Sequence, residues 1–235
     1  MIMPKNPSIR TLALDTSTSR GSVALLQDNV VVGEIRLNSL ETHSARLLRS
    51  IEFLHESAGW SLSEVSLVAA GIGPGSFTGI RIGVATALGL AQSLGVPFVG
   101  ISGMDALANQ VSFLPGRIGV VMDAQRSQVY YAEYVSSHGR LGKAGRPALW
   151  YPSELEFRLR ERQLYLVGDA GLRCLQDLMR PGNGWPRPIG ADLFLASAIG
   201  RLALSRTRSW KSGECLTAEP LYIRPPDAVR SRGGK

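Results

Sequence analysis

Two polar runs stand where apolar stretches end: "LDTSTSRGS", carrying Asp15, Thr16 and Ser17, and "MDAQRSQVY", carrying Asp123 and Ser127. A carboxylate beside hydroxyls suits a magnesium–phosphate group held between two domains. The same residue types are ordinary builders of tight turns. Both readings stand for Asp15, Thr16, Ser17 and Asp123 as cofactor-binding candidates. A third stretch, "GIGPGSFTGIRIG" over residues 71–83, gathers Gly71, Gly73, Gly75, Gly79 and Gly83. It is not a Walker loop, which needs a lysine, because no lysine occurs between Lys5 and Lys143. The dinucleotide fingerprint fails as well: Ser76 stands where its third glycine belongs, and no acidic residue follows at the required distance. What survives is a strand ending near Ile72, a tight turn, and a helix starting near Phe77, with glycines supplying backbone freedom. Amides at that helix start retain some pull on an anion. Gly79, Gly83 and Ala87 recur every fourth residue, a spacing that lets another helix, of this chain or of a partner, approach closely.

Other chemistry is thinly signalled. His43 and Leu47 sit four apart on one helix, where a metal pair would need two ligands. His55 and His138 have no Ser-His-Asp pattern around them. Cys174 and Cys215 are too few for a disulfide framework and form no C-x-x-C pair, which fits a reducing cytoplasm. No catalytic residue and no metal ligand set is expected.

The elements that position these runs follow from periodicity. Residues 12–14, a strand from Ser22 and a strand over residues 30–37 predict an antiparallel meander. In "THSARLLRSIEFLHESAG", Leu47, Ile51 and Leu54 share a helical face, and Gly59 ends it. Ser61 with Glu64, and Ser102 with Asp105, have capping-box spacing. "SLVAAGI" and "VPFVGI" read as buried strands around a long helix over Phe77–Leu94. A second round begins at "RIGVVMDAQRSQVYYAEYV", so the same unit is expected twice. Helices are read at "PSELEFRLRER", from about Gly171, and at "ADLFLASAIGRLALSR", where Leu193, Ala196, Ile199, Gly200 and Ala203 share a side; "RPGNGWPRPIG" reads as loop and "VRSRGGK" as a frayed tail. The fold class is therefore α/β with two mixed sheets, and at 235 residues two domains are expected, residues 1–104 and 105–235.

The start lacks a signal-peptide pattern. Residues 82–104 carry no charge, but their glycines and Pro97 favour helix, turn and strand over a membrane span. Net charge is +7, unevenly placed: residues 1–139 hold 9 basic and 10 acidic groups, whereas residues 140–235 hold 17 and 9. A nucleic-acid surface and a general arginine habit explain this equally well, since 22 of the 26 basic residues are Arg.

"LALDTSTSRGSVAL", "HSARLL", "GIGPGSFTGIRIGVATALGLA", "VPFVGISGMDALA", "VMDAQRSQVYYAEY" and "AEPLYIRPP" together resemble the bacterial TsaB (YeaZ) family, in this order and over residues 11–226. The resemblance implies a duplicated actin-like, Hsp70-like (ASKHA, RNase H-like) fold in the cytoplasm. It implies a role in placing threonylcarbamoyl on the adenosine next to the anticodon of tRNA, as the non-catalytic, dimerising scaffold that the transferase TsaD requires, with the ATPase TsaE joining them. ATP and metal then belong to the partner subunits, a homodimer forms when TsaD is absent, tRNA is met through the complex, and no membrane is involved. TsaD-type relatives hold a metal through H-x-x-x-H, and here the second position is Leu47. Nucleotide-binding relatives carry a Gly-Gly signature where "LVGDAGL" has separated glycines. The family's two long N-domain helices form the dimer contact, which points to His43, Leu47, Ile51, Leu54, Gly79, Gly83, Ala87 and Leu90 as interface residues. Gln125 and Gln128 depart from the family's more usual basic residue and glutamate. An independent ATP-dependent enzyme of the kinase-like fold, using Asp15 and Asp123 around magnesium, is the alternative. A protease, a label some relatives have carried, is the third reading; no nucleophile-base pattern supports it.

Overall fold

A computed structural model describes residues 8–38, 43–160, 162–169, 172, 173, 175, 186–207, 221 and 223, with residues 43–45 as backbone alone. Of the expected helix from Gly171 only Leu172, Arg173 and Leu175 are described, and the frayed tail lies outside the described residues.

The first sheet follows from its sequence pattern. β1 (Arg10–Asp15), β2 (Arg20–Gln27) and β3 (Val30–Asn38) form the predicted antiparallel meander, with Asp15 opposite Ser22 and Arg20 opposite Asn38. β4 (Leu67–Gly71) and β5 (Phe98–Ile101) add in parallel, giving the order β3-β2-β1-β4-β5. The central strands are apolar nearly throughout because helices cover both faces. α1 (His43–Ala58) covers one, and its Leu47, Ile51 and Leu54 enter a core with Leu12, Leu14, Val68 and Val84. α2 (Phe77–Leu94) has the predicted bounds: the Ser76 hydroxyl accepts from Gly79 N–H, and Gly95 at φ 66° takes the left-handed position that closes it. The Ser61–Glu64 capping box forms with both bonds at the 3₁₀ turn Leu62–Glu64.

The second sheet repeats the plan. β6 (Gly116–Asp123) and β7 (Val129–Ser137) are antiparallel, β8 (Arg140–Lys143) follows antiparallel on β7, and β10 (Tyr165–Gly168) and β11 (Arg187–Ile189) add in parallel beside β6. The order β8-β7-β6-β10-β11 is that of the first sheet, position for position. α4 (Pro152–Leu159) occupies the place of α1 and buries Leu155 and Leu159 against Val129, Tyr131 and Leu166. Three strands escaped the sequence reading: β8, β9 (Ala148–Trp150), which also pairs with β7, and β11, which lies in the stretch read as loop.

The chain divides into two compact units, but not along the expected line. The first runs to Gly103 and takes in the later segment beginning at Phe194; the second runs from Met104 to Leu193. α5 (Ala196–Thr207) follows the second sheet in sequence yet packs on β1, β2, β4 and β5 of the first. Its Ala196 N–H donates to the Ser22 hydroxyl at 3.0 Å, and Gly200 leaves room for Leu26 and Ala13. α3 (Gly103–Gln110) follows the first sheet but, from Met104 onward, belongs to the second unit, where Asp105 accepts from the Tyr134 hydroxyl at 2.8 Å. A helix from beyond the second sheet in sequence thus covers the first sheet, so residues 105–235 do not make one body. The reason is packing: the apolar face of α5, Ala196, Ile199, Gly200 and Ala203, fits the small-residue surface of the first sheet.

Candidate functional site: the glycine loop and the outer faces of α1 and α2

The glycine loop is filled by the chain itself. Asp15, Thr16 and Ser17 are 1%, 2% and 1% exposed and press against the start of α2. The Ser17 carbonyl accepts from Ser76 N–H at 2.7 Å, and the Thr16 hydroxyl donates to the Gly79 carbonyl at 2.7 Å. A Cβ at Gly75 would run into the Ser17 carbonyl, one at Gly79 into the Thr16 carbonyl, and one at Gly83 into the Thr16 hydroxyl. The every-fourth-residue small stripe is therefore spent inside the chain, seating the β1–β2 turn. Two carbonyl oxygens facing the head of the helix already supply the electron-rich group that a phosphate would bring. Asp15 Oδ1 accepts from Ser17 N–H at 3.1 Å, the bond of an Asx turn. The Ser17 hydroxyl is buried with no hydrogen-bond partner among the described residues.

Asp123 lies in the second unit and is exposed. Its Oδ1 accepts from Gln125 N–H at 2.7 Å, and its own N–H donates to Asp169 Oδ1 at 2.8 Å. Gln125, Arg126 and Ser127 follow at φ 58°, 52° and 56°, three consecutive side-chain-bearing residues in the left-handed region, each costing about 1–2 kcal/mol. Both aspartates thus serve as turn acceptors, each within its own unit. Among the described residues, no three His, Cys, Asp or Glu side chains gather as a metal site. No described helix is long and apolar enough to cross a membrane.

Six of the eight interface residues expected on α1 and α2 lie inward in this chain. Leu47, Ile51 and Leu54 are 4–5% exposed and belong to the core; Gly79, Gly83 and Ala87 are buried, and Leu90 is half-buried. His43 is the first residue of α1, and its side chain lies outside the description. The larger apolar face of each helix turns inward because that burial stabilises the fold most. What points outward is a second set: Leu48 and Phe53 on α1, 58% and 61% exposed, and Leu88 on α2 beside exposed Ala85 and Gly89. Arg81 lies over the Phe77 ring at 3.8 Å on the same helix. The signal for this set was present in the sequence as apolar residues off the main stripe. His55 is structural: its Nδ1 lies 3.2 Å from the Trp60 carbonyl at the end of α1, donating in the tautomer that carries the proton there.

A separate polar cluster in the second unit went unnoticed in the sequence. Glu133 accepts from both ends of the Arg162 guanidinium, at 2.9 and 3.0 Å, from the Tyr131 hydroxyl at 3.0 Å, and from Arg117. Burial alone would push its carboxyl up, but Arg117, Arg162 and Tyr131 outweigh this and hold it below the usual carboxylate value. Burial, and then the Glu133 charge, push the Tyr131 phenol well above its ordinary value.

The family described as "TsaD: tRNA N6-adenosine threonylcarbamoyltransferase" is matched over residues 34–165. The chain is 30% identical to the Haemophilus influenzae tRNA threonylcarbamoyladenosine biosynthesis protein TsaB, over 92% of this chain and 94% of that one. It is 29% identical to the Escherichia coli protein of the same name, over 97% and 100%. A solved Pseudomonas aeruginosa structure, described as similar to peptidase YeaZ, superposes with a TM-score of 0.72 at 27% identity, covering 92% of this chain and all of that one. The (R)-2-hydroxyglutaryl-CoA dehydratase component A of Acidaminococcus fermentans, at 12% identity and a TM-score of 0.50, shares the actin-like fold alone. With two sheets of one strand order and named relatives matching along nearly its whole length, the chain belongs to the TsaB (YeaZ) family.

Proposed function

We propose that this protein acts in the biosynthesis of threonylcarbamoyladenosine in tRNA as a non-catalytic partner subunit, pairing with the TsaD transferase. TsaE and ATP complete the assembly, metal and nucleotide sit on the partners, and a second copy takes the place of TsaD when TsaD is absent. The observation that carries this reading is the near-full-length match to relatives named for the pathway. Two features of the site support it. The TsaD-type H-x-x-x-H pair has Leu47 at its second position, and that leucine is a core residue. The glycine loop is occupied by the Thr16 and Ser17 carbonyls, leaving a packing element rather than a phosphate cradle. Contact with the partner runs through the outward residues Leu48 on α1 and Ala85, Leu88 and Gly89 on α2, whose apolar surface gains from burial on pairing.

Reconstitution tests the role. With TsaD, TsaE, threonylcarbamoyl-adenylate and unmodified tRNA, incorporation of labelled threonine should require this chain. Full incorporation in its absence would overturn the proposal. The buried Ser17 hydroxyl beside Asp15, without a hydrogen-bond partner among the described residues, favours an ATP-dependent enzyme. Tight, magnesium-dependent ATP binding by the isolated chain in calorimetry would move that reading forward.

A further inference from the structure

Resting on that tRNA role, we infer that the end of the second sheet carrying the Arg117–Glu133–Arg162 cluster and, beyond it along β7, Arg140 binds the phosphate backbone of RNA.

The register defines the surface. Arg117 on β6 stands opposite Val135 on β7, and Ser137 on β7 stands opposite Arg140 on β8. Directly opposed residues share a face, and residues two apart on one strand share it too. Glu133, Val135, Ser137, Arg117 and Arg140 therefore line one face. α4 covers the other end of that face, over Val129 and Tyr131. At the open end Val135 is 41% exposed and the Arg117 side chain 50% exposed. Arg117 and Arg140 are two strands apart, about 10 Å laterally, a separation that two guanidiniums can bridge to successive backbone anions.

The charges do not cancel. One carboxylate, Glu133, faces two guanidiniums, and residues 134–153 contain no acidic residue while holding Arg140, Lys143 and Arg146. Lys143 pairs with Asp105 at 3.1 Å; Arg140 and Arg146 are exposed with no ion pair among the described residues. Glu133 takes one nitrogen of Arg117 and two of Arg162, fixing both forks while leaving further N–H donors. A guanidinium held this way loses little freedom on meeting a phosphate, whose geometry its fork matches.

Two bland readings compete. Charged residues protect sheet edges from wrong pairing, and that suffices for Arg140 on β8. It does not explain Arg117, which stands on a central strand and projects from the face. An acidic protein surface would also suit three arginines, but a polyanionic substrate in the proposed reaction favours RNA.

The test pairs direct binding with turnover. Fluorescence anisotropy with unmodified tRNA would be followed over a salt series for the intact chain, the Arg117→Ala/Arg140→Ala variant and the corresponding double lysine variant. The alanine variant should bind about tenfold more weakly and lower the slope of log K against log salt by about 2, one for each phosphate left without its guanidinium, with the lysine variant keeping the slope. Arg162 still holds Glu133 in both variants, so thermal melting should stay close to that of the parent. In the reconstituted complex the alanine variant should raise KM for tRNA and leave kcat unchanged. Unchanged slope and KM overturn the inference while leaving the proposed role standing. A variant that keeps the slope but no longer co-elutes with TsaD overturns it in favour of a protein contact. If the unaltered chain fails to support modification, the proposed role falls, and the salt slope still decides this surface.

Discussion

The β1–β2 and β6–β7 turns occupy equivalent places in two sheets of the same strand order, yet one is sealed and the other open. In the first unit Asp15, Thr16 and Ser17 are buried against the glycines of α2. In the second, Asp123 and residues 125–127 are exposed, and the chain holds three left-handed residues in a row. The same strand-turn-strand unit has become a packing element in one copy and a strained surface loop in the other. Sequence likeness between the copies predicts the strands, whereas the neighbour of each turn decides its use.

Breaking the seal should have the largest effect. Gly79→Val would drive a branched side chain into the Thr16 carbonyl, and we expect a loss of about 4 kcal/mol, read as a lowered urea midpoint at unchanged m-value. Next comes the inner face of α1. Ile51→Ala should cost about 3 kcal/mol through a core cavity, whereas Leu48→Ala, on the outer face, should change monomer stability by no more than about 0.5 kcal/mol and weaken partner pairing in a titration. If Leu48→Ala destabilises the isolated chain as much as Ile51→Ala does, the division into inner and outer faces fails.

Smaller changes sharpen the contrast between the turns. Thr16→Val keeps the shape and removes the bond to the Gly79 carbonyl, a loss of about 1 kcal/mol by denaturation. Ser127→Gly should do the opposite in the open turn, raising stability by about 1 kcal/mol, because glycine accepts a φ of 56° without the left-handed penalty. A melting temperature that falls for Ser127→Gly would mean that the serine makes a contact outweighing its strain. The smallest effect is expected from Glu133→Gln. Glu133 titrates below its unfolded value, so its contribution is complete above the usual carboxylate pKa and fades as pH falls through the depressed one. The glutamine variant should flatten the acid limb of the stability–pH curve, measured by melting, and leave the slope near neutral pH unchanged.

Much of the fold was legible because local chemistry decided it. α2 begins at Ser76 and ends at Gly95, and the capping box at Ser61 and Glu64 forms as spaced. β8, β9 and β11 were not legible, since strands of three or four residues are too short to show an alternation, and β8 and β11 add Arg, Gly and Pro. Nor was the crossing of α5 to the first sheet, which depends on Gly200 meeting Leu26 far earlier in the chain. Of the site, the glycine stripe is legible as a close-approach surface, but its occupant is not. Whether Gly83 meets a partner helix or Thr16 is settled by tertiary packing, and periodicity on one helix is silent about it.

The central claim is that this chain pairs with TsaD through the outer faces of α1 and α2. Light scattering on a size-exclusion column, with the chain alone and mixed with TsaD from the same organism, tests it most directly. The account predicts a homodimer that converts to a heterodimer on mixing, with conversion lost in a Leu48→Glu/Leu88→Glu variant whose melting temperature is unchanged. Separate elution of the two unaltered chains, with TsaE and ATP present, would contradict it.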